Sequence, residues 1–452
     1  MGALESRMDS QTQDGSCDDG SDIAIKRETP SQVGSHLGDE SASPSSYPQS
    51  PTISRSENPN VERLREAIYV RYLFEDFVLS PHKESKVGWL EVILPKLYAS
   101  SAIDSTLNLA VRAAAYAYMG NKRQARELQI EAREMYGHCL KILTADLTSL
   151  EIATSNDTAT AVLVLGLYEC IAGNGSHSFW HSHGHGLSLL MQLRNSHSSQ
   201  AQLTLPKEEA PDGMIICQMQ RRNLDLRKPP PPEEGTYIGS LDGSCPANRM
   251  FGSAFQCSHI VARAHNEILK ADGTTSSTAR LEKVVAEIRT FDITLVRLFR
   301  TCVSLSPTDK YRTDAELQAQ WLASCPTYRA MAMWIFLQAS RIILHEVHAE
   351  CLHKLNASDD EISRAIALVR QSTDSIFSAV KFMTEETPKS PYSLECKGPR
   401  NIGGYYLLWP LHIIVECKFA EKKQKQIARD VLLRIGSEMG LKHALEIARA
   451  VE

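Results

Sequence analysis

Residues 157–194 read DTATAVLVLGLYECIAGNGSHSFWHSHGHGLSLLMQLR, and this stretch decides the fold. Asp157 to Cys170 is an apolar helix, closed by a Gly/Asn/Ser turn. A second, amphipathic helix then opens at Trp180, carries His181, His183 and His185 in alternation, and runs out through Leu187, Leu190 and Leu193.

The same helical texture extends in both directions. Upstream, Val61, Leu64, Ile68 and Tyr72 fall at i, i+3, i+7 and i+11, a helical stripe. A short helix with Trp89, Ile93 and Leu97 on one side is expected over 87–98. An Ala-rich helix capped by Asp104 follows, broken at Gly120-Asn121, and then a long charged helix over 122–147. Downstream, helical periods are expected over 214–226, 249–270, 277–302, 314–322, 328–355, 359–382, 404–419, 421–435 and 441–451. Arg227-Lys228 and Pro229 to Pro232 are expected to force an exposed, extended loop over about 227–248. No alternating apolar/polar run bounded by hairpin turns occurs. The expected fold is therefore all-α: one domain of about 14 helices over 59–452. Residues 1–58, rich in Ser, Asp, Gly, Pro and Gln without an apolar period, are expected to form a disordered tail.

The bulk numbers exclude several classes of function. Of 452 residues, 42% are hydrophobic and 23% charged, an ordinary globular composition. The net charge of −5 argues against a generally basic, phosphate-gripping surface. No run of about 18 uncharged apolar residues suggests a membrane span, and the first residues, MGALESRMDS, lack the apolar core of a secretory signal. The 11 cysteines are scattered, with no C-x-x-C, which fits a reducing compartment.

Three blocks carry a family resemblance. Trp89-Leu90-Glu91-Val92-Ile93-Leu94-Pro95 leads into the Ala-rich helix. Ala125-Arg126, Tyr136-Gly137 and Leu140 lead into the 157–194 pair. Gly404 to Leu411 (GYYLLWPL) is followed by Arg434-Ile435-Gly436, Gly440, Ala444 and Ala448. In this order they resemble the regulatory domain of fungal zinc-cluster transcription factors. The resemblance implies a nuclear regulator of transcription built on an all-α domain. That family usually carries a six-cysteine zinc module N-terminal to the domain. Here the N-terminal tail holds one cysteine, Cys17, so no zinc cluster is expected in this chain, and either the domain acts without its own DNA reader or a first exon is missing.

The chemistry-bearing residues point nowhere else. His181 and His185 share a helix face, which makes them weak metal candidates, while His183 points away and no carboxylate adjoins them in sequence. His345-Glu346-Val347-His348 is one residue short of a zinc-protease helix, so its histidines are expected to be partly exposed. Arg221-Arg222 and Lys418 to Lys425 are the basic clusters open to a role in nuclear import, though a solvated helix face explains them too. In the tail, Lys26 sits in an apolar-Lys-x-Glu pattern suited to SUMO, and Thr29, Ser43 and Ser50 precede prolines as candidate phosphosites. No catalytic residue, cofactor or metal is expected. The expected function is regulation of a metabolic gene set, such as a secondary-metabolite cluster. It would run through protein partners, as a homodimer or a heterodimer, without sequence-specific DNA contact and without a membrane. The alternatives are a helical small-molecule sensor, a metal-dependent enzyme, or a truncated DNA-binding factor.

Overall fold

Asn58 opens the first helix: its Oδ1 accepts the Asn60 N–H at 3.0 Å, and Pro59 at the first helical position has no N–H to leave unpaired. In a computed structural model, residues 58–78, 94–173, 179–198, 212–239, 246–303, 328–384 and 401–450 are described. They form α1 (Pro59–Phe77), α2 (Leu94–Ser100), α3 (Thr106–Lys122), α4 (Arg126–Asp146), α5 (Leu150–Ala153), α6 (Asn156–Ala172), α7 (Phe179–Ser198) and α8 (Asp212–Asp225). Then come α9 (Pro232–Gly239), α10 (Pro246–Leu269), α11 (Thr275–Val303), α12 (Tyr328–Lys354), α13 (Asp359–Thr384), α14 (Asn401–Glu416), α15 (Lys422–Glu438) and α16 (His443–Arg449). The all-α reading holds: among the described residues there are sixteen helices and no strand. The tail, Trp89, and the helix expected over 314–322 lie outside the described residues.

The first half is organised around α3. Its five alanines at 110, 113, 114, 115 and 117 are buried, and their small size lets α1, α4 and α6 all pack against it. Ser105, one residue after the expected cap Asp104, closes the N-terminus by accepting the Asn108 N–H at 3.2 Å. Side-chain bonds fix the helix directions. Asn121 Nδ2 donates to the carbonyls of Ile171 at 2.7 Å and Gly440 at 2.8 Å, so α3 and α6 end together. Thr106 donates to Asp146, which brings the end of α4 back to the start of α3. Arg194 Nη2 donates to Asn156 Oδ1 at 2.7 Å, which runs α7 antiparallel to α6. Gly173 stops α6 in the left-handed conformation, φ +66°, that a side chain would disfavour.

In the second half, α10, α11, α13 and α14 pack against α12. Trp409 on α14 is fully buried and stacks on Phe336 of α12 with centroids 5.1 Å apart. Burial of that one side chain contributes about 2–3 kcal/mol. Gly403 is where α14 crosses the end of α13, and a Cβ there would stand 1.8 Å from the Met383 carbonyl oxygen. Asn401 Nδ2 donates to the Tyr118 hydroxyl at 3.0 Å, which ties the start of α14 to α3.

The stripe of α1 is helical but outward-facing, and two expectations are corrected. The stripe Val61, Leu64, Ile68, Tyr72 faces solvent, with Leu64 63% exposed. Tyr69, Val70, Leu73 and Phe77 form the buried face of α1 instead. The expected loop over 227–248 contains a helix, α9, because Pro232 sits at a first helical position where its fixed φ is an asset. Its Glu234 is buried rather than exposed. His345, Glu346 and His348 are buried, not partly exposed, because α10, α11 and α13 pack around that length of α12.

Candidate functional site

The signature pair meets along a seam of α6, α7, α8 and α14. Gly166 keeps α6 flat where His183 of α7 crosses, the nearest ring atoms lying 3.8 Å from where a Cβ would be. His183 Nε2 lies 3.1 Å from Glu169 Oε1, and the Tyr136 hydroxyl of α4 donates to the same oxygen. Tyr136 also stacks on Tyr168 with centroids 4.4 Å apart. Burial, reinforced by the neighbouring Glu169 carboxylate, pushes the Tyr136 hydroxyl far above the usual tyrosine range, so it stays a donor. The three side chains clamp α4, α6 and α7 together.

A cavity of about 10 Å³ opens beside this clamp, lined by Val162, Leu163, Gly166, His183, Leu187, Gln218 and Tyr405. That is room for roughly one water molecule. Gln218 Nε2 donates to the Tyr405 hydroxyl at 3.0 Å across it. Cys170, fully buried nearby, has its thiol pushed well above the ordinary range by burial and is chemically quiet.

The buried face of α8 is polar, and sequence reasoning missed it. The Arg221 guanidinium sits 5.7 Å from the Trp409 ring centre, and Trp409 Nε1 donates to Asp225 Oδ1 at 2.7 Å. Glu234 of α9 accepts from Gln220 at 3.3 Å, Asn223 at 2.9 Å and Ser188 at 3.4 Å. Ser258 of α10 donates to Gln220 Oε1 at 2.7 Å. The signal was present as QMQRRNLD, a helical stretch too polar to be buried unless its groups pair with one another. Just beyond it, Arg227 takes φ +49° and reaches Glu346 at 2.8 Å and Glu350 at 3.0 Å on α12.

A second polar cluster lies between α11 and α12. Asp292 accepts from Arg341 at 2.8 and 3.1 Å and stands 3.1 Å from His345 Nε2. Burial alone would push Asp292 up, but His345 and Arg341 hold its carboxyl well below the usual range. His348, 5% exposed, has no hydrogen-bond partner for either ring nitrogen among the described residues. Burial, together with the neighbouring His345 and Arg289, pushes it down to about 4, so the ring is neutral near pH 7.

The structure separates the candidates that the sequence offered. His183, expected to point away, is the histidine that finds a carboxylate; His185 is exposed, and the side chain of His181 lies outside the described residues. No group of three metal-ligating side chains converges among the described residues. Arg221 is buried, which removes the Arg221-Arg222 pair as an exposed basic signal. Lys418 is ion-paired with Glu350, and Lys422 and Lys423 remain exposed. Lys26, Thr29, Ser43 and Ser50 lie outside the described residues. No helix among the described residues is long and apolar enough to cross a membrane.

Comparison with known proteins gives this arrangement a context. Residues 67–211, which take in the seam's α6 and α7, match the family model described as the fungal specific transcription factor domain. Over 410 residues, 86% of this chain and 92% of the other, the sequence is 22% identical to transcription factor dbaG of Emericella nidulans. An uncharacterized protein of the same organism is 28% identical over 129 residues, 28% of this chain and 26% of its own length. No solved structure matches this chain.

Proposed function

We propose that this chain, whose residues 67–211 carry the fungal specific transcription factor domain, regulates a metabolic gene set from the nucleus through protein partners. The observation that carries the reading is the similarity to transcription factor dbaG over nearly the whole of both chains. The site geometry agrees with it: the polar groups of the seam bond to one another and hold helices in place. The one cavity described there holds about one water. Cysteines 139, 257 and 351 are each pushed up to about 12 by burial, which leaves them as packing groups rather than nucleophiles.

Charge supports the route through partners. Acidic residues (54) outnumber basic ones (49), and non-specific DNA affinity draws on clustered Lys and Arg through counterion release. An anisotropy titration of the full chain against promoter duplexes tests this route. Weak, sequence-independent binding lost by about 0.2 M salt is expected. Tight, sequence-selective binding at that salt would replace the partner route by direct DNA reading.

A further inference from the structure

Residues 226–239 run from the end of α8 through four prolines into α9 without entering the core. Among the described residues, no side chain of the hydrophobic core comes from this stretch; its buried members are Pro230 and Glu234. A segment with so few buried apolar groups sits at the low end of local stability. Two polar attachments hold it instead. The first is Glu234, whose carboxylate accepts from Gln220 and Asn223 of α8 and from Ser188 of α7. The second is Arg227. Its N–H closes α8 on the Leu224 carbonyl at 3.1 Å, and the Lys228 N–H reaches the Asn223 carbonyl at 3.0 Å. That closure puts residue 227 at φ +49°, a left-handed position that glycine fills freely and a side chain fills at a cost.

The arginine side chain offsets that cost. Its Nη2 donates to Glu346 Oε2 at 2.8 Å and its Nη1 to Glu350 Oε2 at 3.0 Å, both on α12. Lys418 completes the cluster: its N–H donates to Glu346 Oε1 at 2.9 Å and its ammonium to Glu350 Oε1 at 2.5 Å. Burial would push the Glu350 carboxyl up, but Lys418 and Arg227 hold it below the usual range, so the cluster stays ionic. Between the two attachments stand Pro229, Pro230, Pro231 and Pro232, each with φ fixed by its ring. The link is stiff, and α9 begins on it, with the Glu234 N–H on the Pro231 carbonyl at 3.1 Å. Eight residues are too few for α9 to persist as a helix once it leaves α7 and α10. We propose that residues 226–239 form a strap that opens as one unit while the rest of the domain stays folded, with the Arg227 ion pairs as its latch. Opening bares the groups of Gln220, Asn223 and Ser188 that Glu234 caps.

Native-state hydrogen exchange of the full chain, read by mass spectrometry, tests the proposal. In the unaltered protein the amides of α9 should exchange about a hundredfold faster than those of α10, and their rate should change little in about 1 M urea, as local opening requires. Arg227→Gln keeps a polar side chain but removes the charge. It should speed exchange about tenfold, by the same factor at Lys228 and in α9, with the rate still insensitive to urea. Arg263→Gln, which takes an exposed cation from Glu287, should leave α9 unchanged. Exchange of α9 as slow and as urea-sensitive as that of α10 overturns the proposal, and needs no variant. So does an α9 rate that Arg227→Gln leaves unaltered, a rise confined to one side of the prolines, or an equal rise in Arg263→Gln.

Discussion

Lowering the pH from 7.5 to 5 should loosen the packing of α11 and α12 through His348. The ring ionises near 6.5 when free and near 4 in the fold, where burial and the neighbouring His345 and Arg289 oppose a positive charge. Because the folded value is the depressed one, the stability it represents is fully present above pH 6.5. It is then lost as the pH falls toward 4, where the unfolded chain binds a proton that the fold refuses. At pH 5 the shift is worth about 2 kcal/mol. His345, also depressed by burial, acts in the same direction. Glu446 opposes them: burial raises its carboxyl to about 7, so its penalty is relieved as the pH falls from 7 to 4.5. That side chain is 31% exposed, which makes its share the smaller one. Urea unfolding at pH 7.5 and 5, followed by far-ultraviolet circular dichroism, should give a lower midpoint at pH 5. His348→Gln should flatten the difference, and Glu446→Gln should steepen it. A midpoint difference that His348→Gln leaves untouched would refute the reasoning.

Gly403→Ala should prevent accumulation of folded protein, because its Cβ would overlap the Met383 carbonyl; soluble yield and thermal melting report it. Arg227→Ala should lower stability by about 2–4 kcal/mol in urea unfolding by removing a cation from Glu346, whose side chain is only 8% exposed. Glu234→Leu should cost about 2–3 kcal/mol in the same assay, since it leaves Asn223 and Gln220 without their shared acceptor in a buried site. Trp409→Ala should cost about 3–5 kcal/mol, again read from the urea midpoint.

Long apolar periods made most helices legible. The 157–194 pair became α6 and α7 with small shifts at their ends, because a run like AVLVLGLYEC has no polar face to confuse its burial. α1 was harder. It carries two apolar faces, and periodicity does not say which one α3 will cover; Tyr69, Leu73 and Phe77 won because that face meets the rings of Tyr116 and Tyr118. Polar residues misled in the opposite sense. Arg221, Glu234, His345 and His348 read as surface because each is costly to bury alone. What buries most of them is a partner distant in sequence, such as Asp292 for His345 or Asn223 for Glu234. His183 was missed for the same reason, since Glu169 lies on the preceding helix, across a turn. The functional reading came from the resemblance of three apolar blocks, and those residues are core positions that speak to fold before chemistry.

The central claim, that this chain regulates transcription, is tested most directly by its effect on transcripts. Deleting its gene in the organism that makes it, and profiling all transcripts under several growth conditions, should change one coherent set of metabolic genes. Reintroducing the chain should restore that set. An unchanged transcript profile across those conditions would contradict the account.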